Sequence, residues 1–321
     1  MTPRANQRGV ALVTAMFVIA IVATLAAFLA VSQQVWLRQA QNLADLGQAD
    51  GITRGAIELA GIALIEDAKL TKIDTLAEKW NEPIVLPVEG GFVTIQAKDA
   101  QSQFNLNNLV TGPAGSRALN PTEIGVFEHL LLELGLDAAL KGALVDWLDG
   151  DANVDPGGGA EDLEYASQPT PYRAANQALE SVDELKHVKG FTPEVIDKLR
   201  DYVVALPSDR GVIPLNVNTA DAKTVAAVMR MPASALEAAT GNDSTREFAT
   251  KQDFDKLFPG EAKNRGNHDV VTNFFIVKVR STVGRITRST DALVERNSGK
   301  VIVHWQQPSR FQIARKEEPD A

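Results

Sequence analysis

The sequence of 321 residues has no cysteine and only four histidines, which lie far apart at positions 129, 187, 268 and 304. Without cysteine the chain has no disulfide, thiolate metal ligand, iron–sulfur cluster or cysteine nucleophile. Without closely spaced histidines it has no paired-histidine zinc motif. Basic residues are outnumbered, since 32 lysines and arginines face 41 aspartates and glutamates and leave a net charge of −9. This balance disfavours general nucleic-acid binding, which needs a basic surface to displace counterions from phosphate.

Motifs for catalysis and cofactor binding are also missing. The sequence contains no glycine-rich phosphate loop and no nucleophile elbow with a suitable partner. We therefore assign no catalytic and no cofactor-binding residues, and we expect that the protein is not an enzyme.

A long apolar segment is present near the N-terminus. Residues 10–31 form a run of 22 residues that has no charge, glycine or proline and is interrupted only by two threonines. A helix rises about 1.5 Å per residue, so about 20 such residues cross a hydrocarbon core of about 30 Å. The segment therefore predicts a single transmembrane helix. Arg4 and Arg8 precede it without an acidic residue, and the positive-inside rule predicts that residues 32–321 lie outside the cytoplasm.

The alternative interpretation of this segment is a secretory signal peptide. Such peptides have an apolar core of about 7 to 15 residues followed by a small-residue cleavage site, and residues 26–32 have a suitable composition. The apolar run is longer than that core, and apolar residues continue at spacings of three and four over residues 36–64. This periodicity predicts one continuous helix. Gly47, Gly51 and Gly55 weaken the helix locally.

The N-terminus resembles the signal of type IV prepilins, which a prepilin peptidase cuts on the cytoplasmic side of the membrane. The resemblance rests on a short basic leader that ends in Gly9, followed by Val-Ala-Leu-Val and the apolar run. It implies a leader of residues 1–9, cleavage between Gly9 and Val10, and N-methylation of the new amino group of Val10. An uncleaved signal anchor is the alternative.

One position departs from the general pilin pattern. The fifth mature residue, normally glutamate in pilins, is Thr14 here. In the fibre that glutamate compensates the amino-terminal charge of a neighbouring subunit, since an unpaired charge is costly in an apolar environment. A subunit without it has no acid to offer a subunit above. In this respect the chain resembles the minor pseudopilin K family of the type II secretion system (the GspK family), whose members lack the acid and are placed at the tip.

Short β-rich runs at the two ends of the remaining chain predict an antiparallel sheet. Residues 84–88 and 91–97 indicate a hairpin, and residues 274–283, 286–296 and 300–305 indicate a three-stranded meander. The residues between them are mostly helical in pattern. The predicted fold class is α+β, with a pilin-like long N-terminal helix on an antiparallel β-sheet. A large α-helical domain, SAM-like with helix-hairpin-helix units, is predicted to be inserted between the second and third strands.

This prediction divides the chain into consecutive parts. They are the leader (1–9), the transmembrane stalk (10–31), the pilin-like helix with the first strands (32–100), the inserted α-helical domain of two SAM-like parts (101–272), the C-terminal strands of the pilin domain (273–308) and a short charged tail (309–321). Strings that resemble recurring segments of the K family occur in the expected order as FNLNNL (104–109), DWLD (146–149), GAED (159–162), PYRAAN (171–176) and LNVNTA (215–220). The resemblance thus runs from Gly9 to about Trp305.

The resemblance to the K family implies a function in protein export. The expected function is that of a minor pseudopilin that caps the tip of the type II secretion pseudopilus and helps to initiate its assembly for export across the outer membrane. The expected location is the inner membrane, crossed once, with the C-terminal domain in the periplasm. The expected partners are the I, J and H types of pseudopilin, the inner-membrane assembly platform and prepilin peptidase, with no nucleic acid.

An acidic segment is the candidate chemical site. Residues 142–172 contain no lysine or arginine, whereas seven carboxylates lie within residues 146–164, which we name the acidic loop. Carboxylates at this density repel each other, and a hard divalent cation relieves the repulsion. The segment therefore predicts a site for Ca²⁺.

The spacing of these acids is only partly that of an EF-hand. Oxygen-bearing residues alternate in the string Asp149-x-Asp151-x-Asn153-x-Asp155, as at the start of that loop. The sixth position is valine rather than glycine, and the twelfth is alanine rather than glutamate. We therefore predict a Ca²⁺ site of another type, with one or two ions, and the resemblance to the K family implies the same. The predicted ligands are Asp149, Asp151, Asp155, Glu161 and Asp162.

Two other interpretations of the acidic loop are open. The first is a solvated loop without metal. The second is a general acid–base pair, which needs one carboxyl group kept protonated by an apolar environment. The glycine-rich, polar composition of the loop disfavours the second.

A further motif is typical of DNA-binding proteins. Residues 185–191, followed by a predicted helix over residues 193–204, fit a helix-hairpin-helix, and residues 215–220 resemble the start of another. Such hairpins contact phosphate through backbone N–H groups and basic side chains. Residues 181–205 have a net charge of −1, so a packing role with a protein-binding surface is favoured. The alternative function is a bitopic extracytoplasmic receptor or DNA-uptake protein that binds its ligand through this domain.

Overall fold

The computed structural model describes residues 8–112, 117–207, 209, 211–241, 246–259 and 265–309. Most of the predicted leader and all of the predicted tail after Ser309 lie outside the described residues. The α-helices are α1 (Arg8–Leu70), α2 (Pro121–Glu133), α3 (Leu140–Leu148), α4 (Asp162–Ala166), α5 (Pro193–Leu199), α6 (Ala222–Met229), α7 (Ala233–Thr240) and α8 (Lys251–Asp255). The strands are β1 (Ile84–Val88), β2 (Gly91–Asp99), β3 (Phe104–Asn105), β4 (Val110–Thr111), β5 (Ala118–Leu119), β6 (Val203–Val204), β7 (Leu215–Asn216), β8 (His268–Asp269), β9 (Phe274–Val283), β10 (Ile286–Asn297) and β11 (Lys300–Pro308).

Helix α1 has 63 residues and is about 95 Å long at 1.5 Å per residue. Residues 10–44 are exposed around the whole helix, and burial begins at Ala49. Of the helices in the described part of the chain, α1 alone is long and apolar enough to cross a membrane. It is continuous through Gly47, Gly51 and Gly55. Packing of its second half on the sheet compensates for the low helix propensity of these glycines.

The second half of α1 packs on a five-stranded antiparallel sheet with the strand order β1-β2-β9-β10-β11. β2 pairs with β9 along its whole length, from Gly91 opposite Val283 to Asp99 opposite Phe275. The chain therefore leaves the sheet after β2 and returns to it at β9 at the same end of the sheet, with residues 100–273 between them. This arrangement confirms the predicted α+β fold, with a hairpin, a meander and a helical domain inserted between the second and third strands.

One apolar core lies between α1 and the sheet. Ile57 and Leu64 of α1 are buried against alternate residues of the strands, such as Val277 of β9. The rings of Trp80 and Phe275 pack in a T-shaped arrangement, with ring centroids 5.3 Å apart. Full burial of one such side chain contributes about 1.5 to 3 kcal/mol, so this face stabilises the attachment of α1 to the sheet.

The inserted domain has a second core, formed mainly by α2, α3, α5 and α6. Phe104 and Phe127 stack within it, with ring centroids 6.0 Å apart. The string FNLNNL lies in this core. Its buried asparagine side chains form hydrogen bonds to backbone groups of distant segments. Asn107 Nδ2, for example, donates to Leu179 O at 2.9 Å and to Leu206 O at 2.8 Å. Buried amides need such partners, so the string ties these distant segments of the inserted domain together.

One predicted helix is shorter in the structure. Helix α5 ends at Leu199 rather than at Val204, and the last two residues of the predicted helix form β6. β6 pairs in parallel with β3, and the amide of Phe104 donates to Tyr202 O at 2.8 Å. The β-branched valines favour this extended backbone.

Candidate metal centre

The acidic loop folds back against the end of α3. Asp149 caps the helix C-terminus, the chain turns through three glycines, and Glu161 precedes α4. The amide of Asp155 donates to both carboxylate oxygens of Asp146, each at 3.1 Å, which holds the loop on the helix. A Cβ atom at Gly159 would collide with Asp146 Oδ2, so the close approach requires glycine there.

Three of the five predicted ligands come together in this loop. Asp149, Asp151 and Glu161 each offer a carboxylate oxygen, and these oxygens lie within 4.8 Å of one another. Asp149 and Glu161 are buried, with 5% and 6% of their surfaces exposed, whereas Asp151 is exposed to solvent. Glu161 Oε1 is fully buried and has no hydrogen-bond partner. A buried oxygen without a donor is costly, and a cation at this point would satisfy it.

The other two predicted ligands lie outside this group. Asp155 Oδ1 accepts a hydrogen bond from the amide of Gly157 at 2.6 Å and shapes the turn. Asp162 Oδ1 accepts from the amide of Ala174 at 3.0 Å, and its Oδ2 lies 3.8 Å from Arg173 Nε. These contacts leave the assignment of Asp155 and Asp162 as ligands a prediction.

The pKa values of this group reflect its unbalanced negative charge. Burial and the neighbouring carboxylates of Asp146 and Asp149 raise the pKa of Glu161 to about 7. Burial and the charge of Asp151 raise the pKa of Asp149 to about 6. In the part of the chain that the structure describes, no lysine or arginine forms an ion pair with Asp149, Asp151 or Glu161. A hard cation with oxygen ligands, such as Ca²⁺, fits this donor set.

A second group of carboxylates lies elsewhere, at the end of α1. Oxygens of Asp67, Asp74 and Glu78 also lie within 4.8 Å of one another. Here the protein supplies its own cation, because Arg296 Nη2 is 2.8 Å from Asp74 Oδ2. We therefore do not assign a metal to this group.

In the absence of calcium, the stability of the protein is expected to rise as the pH falls from 8 to 5.5. A carboxyl group whose pKa is higher in the folded than in the unfolded state destabilises the fold above the folded value, and the penalty disappears as it is protonated. Glu161 and Asp149 meet this condition. We expect the melting temperature in EGTA to rise by about 3 to 6 °C over this range. With saturating calcium the rise should be smaller, and equal pH profiles in both conditions would contradict the interpretation.

Comparisons with known proteins cover the acidic loop and most of the chain. Residues 102–208 match the family model described as type II secretion system (T2SS), protein K. The type II secretion system protein K of Pseudomonas aeruginosa is 32% identical over 88% of this chain and 86% of its own length. The protein of the same name from Pectobacterium carotovorum is 33% identical over 95% of this chain and 97% of its own length.

This chain belongs to the type II secretion system protein K family. A chain from the GspK-GspI-GspJ complex of the enterotoxigenic Escherichia coli type 2 secretion system has a similar fold, with a TM-score of 0.73 and 25% identity. The match covers 85% of this chain and 100% of that chain. As a member of the protein K family, the chain is a minor pseudopilin of the secretion apparatus, as its leader, long helix and helical domain predict.

Several groups of the helix-hairpin-helix segment make contacts within the inserted domain. At its turn the amide of Phe191 donates to Val188 O at 3.2 Å and the amide of Thr192 to Gly190 O at 3.0 Å. The side chain of Lys189 pairs with Glu164 of the acidic loop at 3.2 Å. These two amides and the ammonium group of Lys189, which such a hairpin could use to bind phosphate, thus make contacts within this domain.

Sequence analysis did not assign a function to two features of the site. Asp146 is one of the seven carboxylates of the acidic loop. Its hydrogen bond from the Asp155 amide could not be predicted, because it depends on the path of the loop. Its position one turn before Asp149 on α3 was the available signal, since residues three apart share a helix face. The rings of Trp147, Tyr165 and Tyr172 pack beneath the loop, with centroids 5.2 to 6.3 Å apart. No spacing in the sequence indicated that Tyr165 and Tyr172 would pack together with Trp147.

Proposed function

We propose that this minor pseudopilin caps the tip of the type II secretion pseudopilus and helps to initiate its assembly. The observation that carries the proposal is the attachment of the inserted domain at the far end of an exposed apolar stalk. Residues 10–44 of α1 are exposed. The segment by which the inserted domain returns to the sheet is attached near the end of α1, because the amide of Asp74 donates to Val270 O at 3.0 Å. A subunit stacked on this end would collide with a domain of about 170 residues.

The absence of an acid at the fifth mature position supports the same placement. The hydroxyl of Thr14 donates to the carbonyls of Val10 and Ala11 of its own helix, both at 3.0 Å. It therefore offers no negative charge to the amino terminus of a subunit above. In the assembly that we propose, no subunit lies above this one.

The proposal includes a location and a processing step. Residues 10–31 cross the inner membrane once, with the N-terminus in the cytoplasm and the folded part in the periplasm. Prepilin peptidase cuts between Gly9 and Val10, and the new amino group of Val10 is N-methylated. We assign no catalytic activity to the chain itself.

The proposed partners are the I and J types of pseudopilin, because the related structure is a complex of GspK with GspI and GspJ. The H type and the inner-membrane assembly platform complete the set. Gly47, Gly51 and Gly55 form a stripe on the outer side of α1, and a Cβ atom on any of them would meet nothing within 4 Å. Leu43 and Leu59 extend this stripe and are exposed. Small residues at this spacing allow a second helix to approach closely.

The replacement Gly51→Leu is expected to weaken assembly with the I-type and J-type proteins. Leucine raises helix propensity, so the isolated subunit should fold at least as well, while its side chain keeps a partner helix away. We expect recovery of the partners in co-purification from membranes to fall by about fivefold, which corresponds to about 1 kcal/mol. Gly51→Ala is the matched control and should retain most of the partner. Equal recovery with leucine and alanine would place the partner helices elsewhere.

We also propose that the acidic loop binds one or two Ca²⁺ ions through Asp149, Asp151 and Glu161, with Asp155 and Asp162 as further candidates. The buried, unpaired Oε1 of Glu161 supports this proposal most directly. When bound, the ion would neutralise the loop and fix the connection between α3 and α4. Its role is structural, since the residues of the loop otherwise bond to one another and to backbone amides.

A further inference from the structure

The inserted domain is joined to the stalk and the sheet by a buried polar cluster, which we name the junction. At its centre Arg296 of β10 donates through Nη2 to both oxygens of Asp74, at 2.9 and 2.8 Å, and to Thr272 O at 2.6 Å. Its Nη1 donates to Leu64 O of α1 at 3.0 Å. One guanidinium group therefore connects the stalk, the sheet and the segment by which the inserted domain returns to the sheet.

Two buried aspartates complete the junction. Asp74 Oδ2 accepts a hydrogen bond from the amide of Thr272 at 2.7 Å. Asp99, at the end of β2, accepts from the hydroxyls of Thr219 and Thr272 at 2.5 Å and from Asn216 Nδ2 at 2.9 Å. Carboxylates thus hold both the segment that leads from β2 into the inserted domain and the segment that returns from it to β9.

The junction contains more negative than positive charge. Asp67 of α1 faces Asp74, Glu78 and the guanidinium of Arg296, while Asp99 faces Asp74. Asp67 Oδ2 is fully buried, has no hydrogen-bond partner and lies 3.8 Å from Arg296 Nη1. Asp67 and Asp74 therefore share one guanidinium, and Glu78 and Asp99 add further negative charge beside them. Like charges at this separation repel strongly in a setting with little water.

We propose that the junction is a proton-sensitive clamp, which takes up protons in mildly acidic solution and then holds the inserted domain more firmly on the stalk. A proton on Asp67 removes the repulsion from Asp74 and Glu78 and breaks no existing hydrogen bond of its Oδ2. Arg296 then pairs with one charged carboxylate, Asp74, instead of two. Asp99 retains its hydroxyl partners when protonated, because a hydroxyl group both donates and accepts.

The titration of these groups agrees with the geometry. Burial and the charges of Glu78 and Asp74 raise the pKa of Asp67 from 3.8 to about 6. Burial raises the pKa of Asp99 to about 6, against the opposing effect of its hydrogen-bond donors. A carboxyl with a raised folded pKa destabilises the fold at high pH, and the penalty is lost as the pH falls through the folded value. The clamp should tighten between pH 7.5 and 5.5.

The test is the replacement Asp67→Asn in the full-length protein in detergent micelles, with saturating calcium to suppress titration of the acidic loop. The asparagine has the same shape without the charge. We expect the variant to melt about 3 °C above the wild type at pH 8, the difference to be smaller at pH 5.5, and the variant to show a weaker dependence on pH. Glu66→Gln is the control, because Glu66 lies next to Asp67, is exposed and pairs only with Lys69 at 2.5 Å among the described residues. It should leave the pH profile unchanged.

Hydrogen exchange gives a second reading that does not depend on melting. The amides of Thr272 and Asn273 bond to Asp74 and Gln101 within the junction. Lowering the pH from 7.5 to 5.5 should increase their protection factors in the wild type by about fivefold and in Asp67→Asn by much less. Protection that is independent of pH in the wild type, or a variant that is less stable at pH 8, would overturn the proposal.

Discussion

Removal of calcium is expected to lower the melting temperature of the full-length protein by about 10 °C. A ligand that binds only the folded state at 1,000 times its dissociation constant stabilises that state by about 4 kcal/mol. In a protein of this size about 1 kcal/mol shifts the melting temperature by roughly 2 to 4 °C. The loop has a buried carboxylate oxygen without a partner and two acids whose pKa values are raised to about 6 and 7. Differential scanning fluorimetry with calcium and with EDTA measures the effect.

Variants of the loop assign the effect to particular ligands. Glu161→Gln and Asp149→Asn should each abolish most of the response to calcium, and without calcium both should melt above the wild type because a repelling charge is gone. Glu164→Gln is the control, since Glu164 belongs to the same loop but pairs with Lys189. Isothermal calorimetry of the same proteins determines whether one or two ions bind. Identical melting with calcium and with EDTA would exclude a structural metal.

Replacement of Gly9 by leucine is expected to abolish leader removal and to reduce secretion more than tenfold. The proposed cut lies between Gly9 and Val10, and an uncut leader keeps the basic residues Arg4 and Arg8 on the stalk. These charges would hold the helix at the cytoplasmic surface and prevent its entry into a fibre, since charge is costly in an apolar environment. Mass spectrometry of the protein from membranes, in cells with and without prepilin peptidase, measures the cut.

A matched control separates processing from folding. Ala11→Val changes a neighbouring residue within the apolar run and should be processed normally, because it preserves the helix and its hydropathy. Loss of processing in Gly9→Leu but not in Ala11→Val would support the proposal. A mature protein that begins after residue 31 in either case would remove the stalk and contradict the proposed assembly.

Much of the fold could be predicted from sequence because its largest elements have strong local signals. The apolar run and its amphipathic continuation predicted α1, and alternation between turns predicted β1, β2 and the C-terminal meander. Helix α5 was predicted five residues too long because pairing of β6 with β3 depends on a segment about 100 residues away. Local propensity does not report such a contact.

The acidic loop was predictable in part for the same reason. The density of carboxylates indicated the acidic loop, and three of the five predicted ligands lie close together in it. The orientation of Asp155 and Asp162 follows from hydrogen bonds to the amides of Gly157 and Ala174, which depend on the path of the backbone. The junction had no local signal, because Asp74, Thr272 and Arg296 are brought together only by the fold.

The pairing of β2 with β9 has a consequence for the order in which the chain folds as it is exported. In the orientation that we propose, the residues after the membrane span cross in chain order, so the β1–β2 hairpin emerges with one face apolar and without the strand that covers its edge. Residues 100–273 must follow before β9 arrives, and closing so long a loop is slow. During that interval the hairpin edge is open to wrong pairing with other chains. Early folding of the insertion, which brings its two ends together, is therefore what completes the sheet.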